Sequence, residues 1–317
     1  MRKLVWQDPN FRCLVRRQDN GEEEDLLVRA SSAAELQTRM ATRGYDVLNA
    51  KPYDFGKWRA RAKAATDEVI ANGKPDKWKD TIWSALKQYL YLLSENKCGY
   101  CEVDVFPVSL GEVEHYRPKG RVDEDTAAKH QGYYWLAYDP NNYVPTCPQC
   151  NGGKGKTNRF PISGKRSTKP GDDLAAEKPL LLNPFHKESP AKHLRFHVRE
   201  DDPAFGQIKG RTPTGKKSEE IYRLNRGGLL TSRKQELTVL LERLRLVWGD
   251  PQKLENLMVE IEEARRPYAG SMIAAVLEWL EEMTRQSVTI RKRLNQKKKS
   301  PTHKAAPSSR RRTRHKT

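Results

Sequence analysis

Four of the five cysteines fall into two C-x-x-C pairs, Cys98-Gly-Tyr-Cys101 and Cys147-Pro-Gln-Cys150. Each pair presents two thiolates to one metal ion, and two pairs complete the tetrahedral all-thiolate site that holds structural zinc. A closed site of this kind has no open coordination position, so its Zn²⁺ stabilises the fold and leaves any chemistry to other groups. One pair alone would fit a redox dithiol equally well; two pairs favour the metal. Cys13 stands outside the pattern and reads as a buried or incidental thiol. An odd cysteine total argues against a secreted disulfide framework.

The 45 residues between the knuckles are more than a simple zinc ribbon needs, so the insert must carry something. It contains Glu114-His115-Tyr116-Arg117-Pro118-Lys119 and Asp139-Pro140-Asn141-Asn142, and Asn151-Gly-Gly-Lys154-Gly-Lys156-Thr157-Asn158 follows the second knuckle. Here the chain resembles the HNH endonuclease superfamily, in its four-cysteine zinc branch. That pattern is an acidic or His residue followed by His, then an Asn before an apolar residue, then His or Asn nine positions later. Glu114-His115, Asn142 and Asn151 match it. The resemblance implies a ββα-metal fold, a hairpin and helix wrapped round one catalytic ion, with His115, Glu114, Asn142 and Asn151 as the catalytic set.

Phosphodiester hydrolysis needs a base to activate water and a divalent cation to neutralise the scissile phosphate. His115 can be that base near neutral pH. Glu114 and Asn151 offer oxygen ligands suited to Mg²⁺ or Mn²⁺. By resemblance, Asn142 orients His115 through a hydrogen bond across the loop. Lys154 and Arg117 are candidate phosphate contacts. Asn158, about two helical turns beyond Asn151, is a further ligand or only a helix-surface residue. Each of these residues alone would read as surface, turn or packing; their order and spacing relative to the knuckles carry the argument. Gly155-Lys156-Thr157 imitates the end of a phosphate-binding P-loop, but that motif needs Gly where Cys150 stands, which excludes an NTPase.

Further segments are similar to a narrower group, the PtuB-like HNH effector nucleases of Septu and retron anti-phage systems. They are Cys98-Gly-Tyr-Cys-Glu102, Tyr134-Trp-Leu-Ala-Tyr138, Asn158-Arg-Phe-Pro161, Glu177-Lys-Pro-Leu-Leu-Leu-Asn-Pro184 and Ile221-Tyr-Arg-Leu-Asn225. The likeness spans roughly residues 78–230, is weak over the first fifty residues and has no counterpart of the C-terminal tail. It implies an ABC or SMC-like ATPase partner, in some cases within a retron complex, and a trigger that releases cleavage of nucleic acid.

The elements that must position these residues follow from periodicity. Residues 56–71 and 78–95 read as helices, the second delivering the chain to Cys98. Asp19–Asp25 reads as an acidic turn or loop, and Leu26-Leu-Val-Arg as a short strand. Residues 98–161 should hold a hairpin, a long loop and one short helix, and 163–177 a loop. Segments near 217–224, 229–248, 251–265 and 269–294 carry apolar residues at i, i+3 and i+4, as helices do. The expected class is α+β, mainly α-helical, with four parts. These are a mixed N-terminal region (1–77), an HNH module with the zinc knuckles (78–185), a helical C-terminal region (186–294) and a disordered basic tail (295–317).

The net charge is +18, from 59 Lys and Arg against 41 Asp and Glu. Twelve of those basic residues and no acid lie in 291–317, which leaves +6 for the remainder. A tail of this kind favours polyanions through counterion release, or merely solubilises the chain. No apolar run approaches the roughly 18–20 residues that span a bilayer, and the first residues lack the apolar stretch of a signal peptide. A soluble, cytoplasmic protein without membrane partners is expected. Two alternatives remain open: a stand-alone restriction-type HNH nuclease, and a zinc-stabilised nucleic-acid-binding protein without catalysis. The Glu114-His115 pair argues against the second, since a pure binder needs no general base.

Overall fold

Alternation of buried and exposed residues along Phe11–Arg17 (β1) places Cys13 and Val15 on one face. In the computed structural model, which describes residues 1, 3–106, 109–125, 130–247, 249–262 and 266–299, β1 is the centre of an antiparallel sheet. Its neighbours are Glu23–Val28 (β2) and Tyr45–Pro52 (β3), in the order β2-β1-β3. The helix Ala33–Ala41 (α1) starts at Ser32, whose hydroxyl accepts from the Glu35 N–H. Its Leu36 and Met40 pack with Cys13, Val15, Leu26 and Val28. Cys13 is wholly buried there, and burial pushes its thiol up to about 11, so it is an inert core residue. The acidic run differs from expectation. Only its first residues form a turn; Glu23, Glu24 and Asp25 belong to β2, where Arg16, Arg17 and Arg12 of β1 pair with them across the strands.

The helix Phe55–Asn72 (α2) begins at Asp54, whose carboxylate accepts from the Gly56 N–H, and ends at Gly73, whose φ of 80° no helix continues. Its face of Phe55, Trp58, Ala62, Ala65 and Val69 packs on Ile82, Leu86, Leu90, Ala137 and Tyr143. The single helix expected over 78–95 is two, Thr81–Ser84 (α3) and Lys87–Leu93 (α4). The Leu86 N–H bonds to the Trp83 carbonyl three residues back, so one tighter turn interrupts the α-ladder. Ile82, Leu86 and Leu90 stay on the buried side through that turn, which is why periodicity alone does not reveal the break.

Glu112–His115 (β4) and Tyr143–Thr146 (β5) form the next antiparallel pair, with Glu114 opposite Val144 and His115 opposite Tyr143. A one-turn helix, Pro148–Asn151 (α5), follows directly. Leu194–Phe196 (β6) and Ile208–Gly210 (β7) make a small antiparallel pair. Four helices close the chain: Pro213–Ile221 (α6), Gly227–Val247 (α7), Pro251–Glu262 (α8) and Ala269–Lys299 (α9). The first starts earlier than its apolar pattern because Thr212 caps it and Pro213 fits its first turn. Residues 263–265, read as the end of a helix, lie outside the described residues. So does the tail from 300 onward, while 295–299, expected to be disordered, continue α9.

The architecture is thus mixed α and β, with three small sheets among the described residues and a dominant helical content. The chain divides into two compact units, Met1–Ala275 and Val276–Thr317. The largest apolar cluster of the first unit gathers the four knuckle cysteines with Tyr100, Tyr116, Tyr133, Val144, Phe160, Leu182 and Tyr222. The second unit carries the rest of α9. No helix among the described residues is long and apolar enough to cross a membrane.

Candidate metal centre and active site

The sulfurs of Cys98, Cys101, Cys147 and Cys150 lie within 4.8 Å of one another, and all four residues are buried. Sγ of Cys101 and Cys147 are 3.8 Å apart, close to the ~3.8 Å edge of a tetrahedron with Zn–S bonds of about 2.3 Å. The donor set therefore fits Zn²⁺, with each knuckle supplying two thiolates. Arg226, just before α7, directs its guanidinium at the sulfurs, with Nη2 3.4 Å from Cys101 Sγ and Nη1 3.6 Å from Cys150 Sγ. A zinc ion with four thiolates carries net negative charge, which this cation offsets.

Local geometry explains the knuckles. The Gly99 N–H donates to the Pro145 carbonyl at 2.7 Å, tying the first knuckle to β5. After the second, the chain does not continue the helix. The Lys156 N–H donates to the Cys150 carbonyl and the Thr157 N–H to the Asn151 carbonyl, both at 2.7 Å, closing a wide turn. A Cβ on Gly155 would come within 2.5 Å of the Cys150 carbonyl oxygen, so only glycine fits. Asn158 consequently sits in a turn, its carbonyl accepting from the Asp123 N–H, and the two-helical-turn spacing assumed for it does not exist.

His115 ends β4 and is 4 % exposed. Its ring stands edge-on to Trp83 at 5.0 Å and to Tyr143 at 5.2 Å. Nε2 lies 2.9 Å from the Ala137 carbonyl oxygen. A carbonyl only accepts, so the neutral ring carries its proton on Nε2 and keeps its lone pair on Nδ1. The Lys119 ammonium lies 3.5 Å from Nδ1 and over the faces of Trp83 and Trp78. Burial first, and then Lys119, hold the imidazole well below its ordinary value; the Ala137 carbonyl opposes them. Burial likewise lowers the Lys119 ammonium.

Glu114 is also buried, and its Oε1 accepts from Lys156 Nζ at 2.5 Å. Lys156 is wholly buried and donates also to the His115 carbonyl at 3.1 Å. Burial raises the Glu114 carboxyl, with the Lys156 ammonium pulling the other way. Asn151, at the end of α5, gives its amide Nδ2 to Glu112 Oε2 at 2.6 Å. The oxygen donors that suit a hard divalent ion are therefore present, but engaged elsewhere: Glu114 by an ammonium and Asn151 by a different carboxylate. Among the described residues no second cluster of metal-binding His, Cys, Asp or Glu is assembled. As they stand, Glu114, Asn151 and Asn158 do not form a site for catalytic Mg²⁺ or Mn²⁺.

Two other residues differ from the sequence reading. Asn142 does not bond the His115 ring. Its Oδ1 accepts from the Arg117 N–H at 2.7 Å, and its Nδ2 donates to the carbonyls of Arg117 and Leu136. It thus clamps the main chain leaving β4, while Ala137 orients the imidazole. Arg117 is not free for phosphate: its Nε donates to the buried Glu177 at 2.9 Å, and its guanidinium lies over Phe160. Glu177 also accepts from the Tyr133 hydroxyl and the Ser167 N–H. Lys154 alone of the two phosphate candidates is exposed.

The sequence reading missed Lys156, Lys119, Trp83 and Glu112. The cluster Gly152-Gly153-Lys154-Gly155 was the available signal for Lys156, since three glycines in four residues announce a tight turn. Nothing local marks Trp83, which reaches His115 only through tertiary packing.

The chain is similar to two curated proteins. It is 35% identical over 153 residues to the Septu protein PtuB of Bacillus mycoides (strain KBAB4), covering 47% of this chain and 50% of that protein. It is 27% identical over 164 residues to the Septu protein PtuB of Bacillus thuringiensis, covering 50% and 47%. The chain thus spans about half the length of the curated relatives it matches. No protein-family description matches it, and no solved structure does.

Proposed function

We propose that this protein is a PtuB-like nuclease of an anti-phage defence system, hydrolysing phosphodiester bonds in nucleic acid with His115 as general base. The observation that carries the reading is the imidazole itself. It is neutral, its tautomer is fixed by the Ala137 carbonyl, and its lone pair on Nδ1 meets an ammonium. A histidine kept only for packing needs no lysine at its lone pair. The likeness to the two Septu proteins supports the biological setting.

In this reading Nδ1 takes a proton from water, the hydroxide so formed attacks phosphorus, and the bond from phosphorus to the leaving sugar oxygen breaks, that oxygen taking up a proton from solvent. Lys119 occupies the side of Nδ1 that the water needs. An entering phosphate draws its ammonium away, clearing that place and giving the phosphate a cation. Mg²⁺ or Mn²⁺ is the cofactor of the reading; Glu114 and Asn151 would have to give up Lys156 and Glu112 to hold it, and the ion would then supply charge neutralisation at the phosphate. The zinc centre keeps β4, β5 and α5 in register. Lys154 and the basic tail supply non-specific attraction to the polymer. An ABC or SMC-like ATPase, or a retron complex that contains one, is the proposed partner that releases activity.

The test is cleavage of plasmid DNA, single-stranded DNA and total tRNA with Mg²⁺ or Mn²⁺, comparing wild type with His115→Ala. Cleavage by the wild type alone supports the reading and identifies the polymer. If neither cuts, the assay is repeated with any co-encoded ATPase. Silence there too favours a zinc-stabilised binding protein.

A further inference from the structure

A sugar oxygen that leaves phosphorus carries the electron pair of the broken bond, and a proton delivered during that step relieves its charge. Solvent is one source of the proton. A fixed donor stands nearer the base. Lys119 Nζ lies 3.5 Å from His115 Nδ1 and rests over the indole faces of Trp83, at 5.0 Å, and Trp78, at 5.8 Å. Two aromatic faces and a lone pair hold this ammonium, and none of the three is an anion. Its attraction to phosphate is therefore unspent. Burial lowers the ammonium from the ordinary lysine range, which makes it the readier acid. Lys156 is placed differently, tied to the Glu114 carboxylate and the His115 carbonyl.

We propose that Lys119 takes the place of solvent as general acid: its ammonium protonates the sugar oxygen as the bond to phosphorus breaks. An in-line displacement puts that oxygen on the far side of phosphorus from the attacking water. The flexible four-carbon stem lets Nζ swing there from its place beside the base. Water gives one proton to His115 Nδ1 and its oxygen to phosphorus. Lys119 gives one N–H proton to the leaving oxygen. The neutral amine then returns to Nδ1 and takes up the proton held there, so both side chains regain their starting states. The inference rests on the proposed hydrolysis with His115 as base, and it adds the second proton transfer.

The experiment compares full-length wild type, Lys119→Met, Lys119→Arg and His115→Ala on oligonucleotides, single-stranded and duplex, with zinc content measured for each protein. One form of each oligonucleotide is all oxygen. Two others carry sulfur at the 3′ or the 5′ bridging position of one linkage, and cleavage is read at that linkage. One of the two frees a thiolate, which departs without a proton because a thiol is far more acidic than a sugar hydroxyl. Lys119→Met should cut the oxygen linkage about a hundredfold more slowly than wild type or worse, and the linkage that frees a thiolate at close to the wild-type rate. Lys119→Arg should do the same, since a guanidinium keeps the charge but holds its protons. His115→Ala should be slow on both, because water still needs its base. Equal slowing of Lys119→Met on oxygen and sulfur, or full activity of Lys119→Arg on oxygen, reduces the ammonium to a charge and overturns the inference. Should Lys119→Met fail to hold zinc, Lys119→Arg decides by the same comparison. A wild type that cuts no linkage, with or without a co-encoded ATPase, overturns the nuclease reading and the inference with it, a result distinct from equal slowing.

Discussion

Lys156 and Glu114 form a buried ion pair, 2.5 Å from nitrogen to oxygen, that joins the turn after the second zinc knuckle to strand β4. Removing one partner leaves the other charged in a buried site without its hydrogen-bonded counter-ion. Lys156→Ala should therefore lose about 3–5 kcal/mol of stability, measured by urea unfolding of zinc-loaded protein. The pair Glu114→Gln/Lys156→Met, which removes both charges and keeps the volume, should recover most of that loss. A single variant as stable as wild type would mean that the pair contributes nothing to the fold.

The zinc centre makes a second prediction. Cys147→Ala should lose zinc and fold together, since a structural site of this kind contributes folding free energy directly. Arg226→Met keeps all four ligands and removes only the guanidinium beside Cys101 and Cys150. It should bind zinc in the same stoichiometry but release it to a chromogenic chelator faster, by about ten- to a hundredfold if it behaves like other outer-shell partners. Equal release rates would assign Arg226 to packing alone.

The two knuckles were legible because their signal is local, paired cysteines at fixed spacing; the strands between them do pair antiparallel, but across a long intervening segment and not as a tight hairpin. The four-cysteine cluster follows from that signal, as the mixed α and β class does from the periodicity of the elements. What bonds to each polar residue was not legible. Asn142 and Arg117 both belong to the motif around His115, yet the one clamps main chain and the other neutralises Glu177, some sixty residues beyond Arg117. Partners that far along the chain are chosen by tertiary packing, and no spacing rule encodes them. The turn after Cys150 illustrates the opposite failure. Its glycines were visible, but an extrapolated helix put Asn158 two turns beyond Asn151, and the lysine read as a candidate for chemistry was Lys154, two residues short of the one that is buried against Glu114.

Arg117 and Lys154 can now be told apart by experiment. Arg117→Ala strands the buried Glu177 carboxylate without its cation and should cost about 3 kcal/mol or more in stability. Lys154→Ala, on the exposed turn, should change stability by no more than about 0.5 kcal/mol. If Lys154 contacts phosphate, the same change should weaken binding of any nucleic acid and lower its salt dependence by about one counterion. A stable Arg117→Ala protein with weakened nucleic-acid binding would restore Arg117 as the phosphate contact.

The sharpest pH test concerns His115. Its burial and the neighbouring Lys119 hold the folded-state pKa well below the ordinary histidine value, near 6.5 in unfolded chains, roughly. The base form therefore persists to lower pH than a free imidazole would allow. The acid limb of kcat/KM should fall below about pH 6.5. Linkage has the same sign: the unfolded chain binds this proton more readily, so stability should decline as pH drops from about 6.5 toward the depressed folded value. Lys119→Met removes a like charge from 3.5 Å away. It should move the acid limb upward by about one pH unit, even if the rate at the plateau also falls. A limb at or above pH 6.5 in wild type, or one that stays in place in the variant, would mean that the Lys119 ammonium does not govern the base.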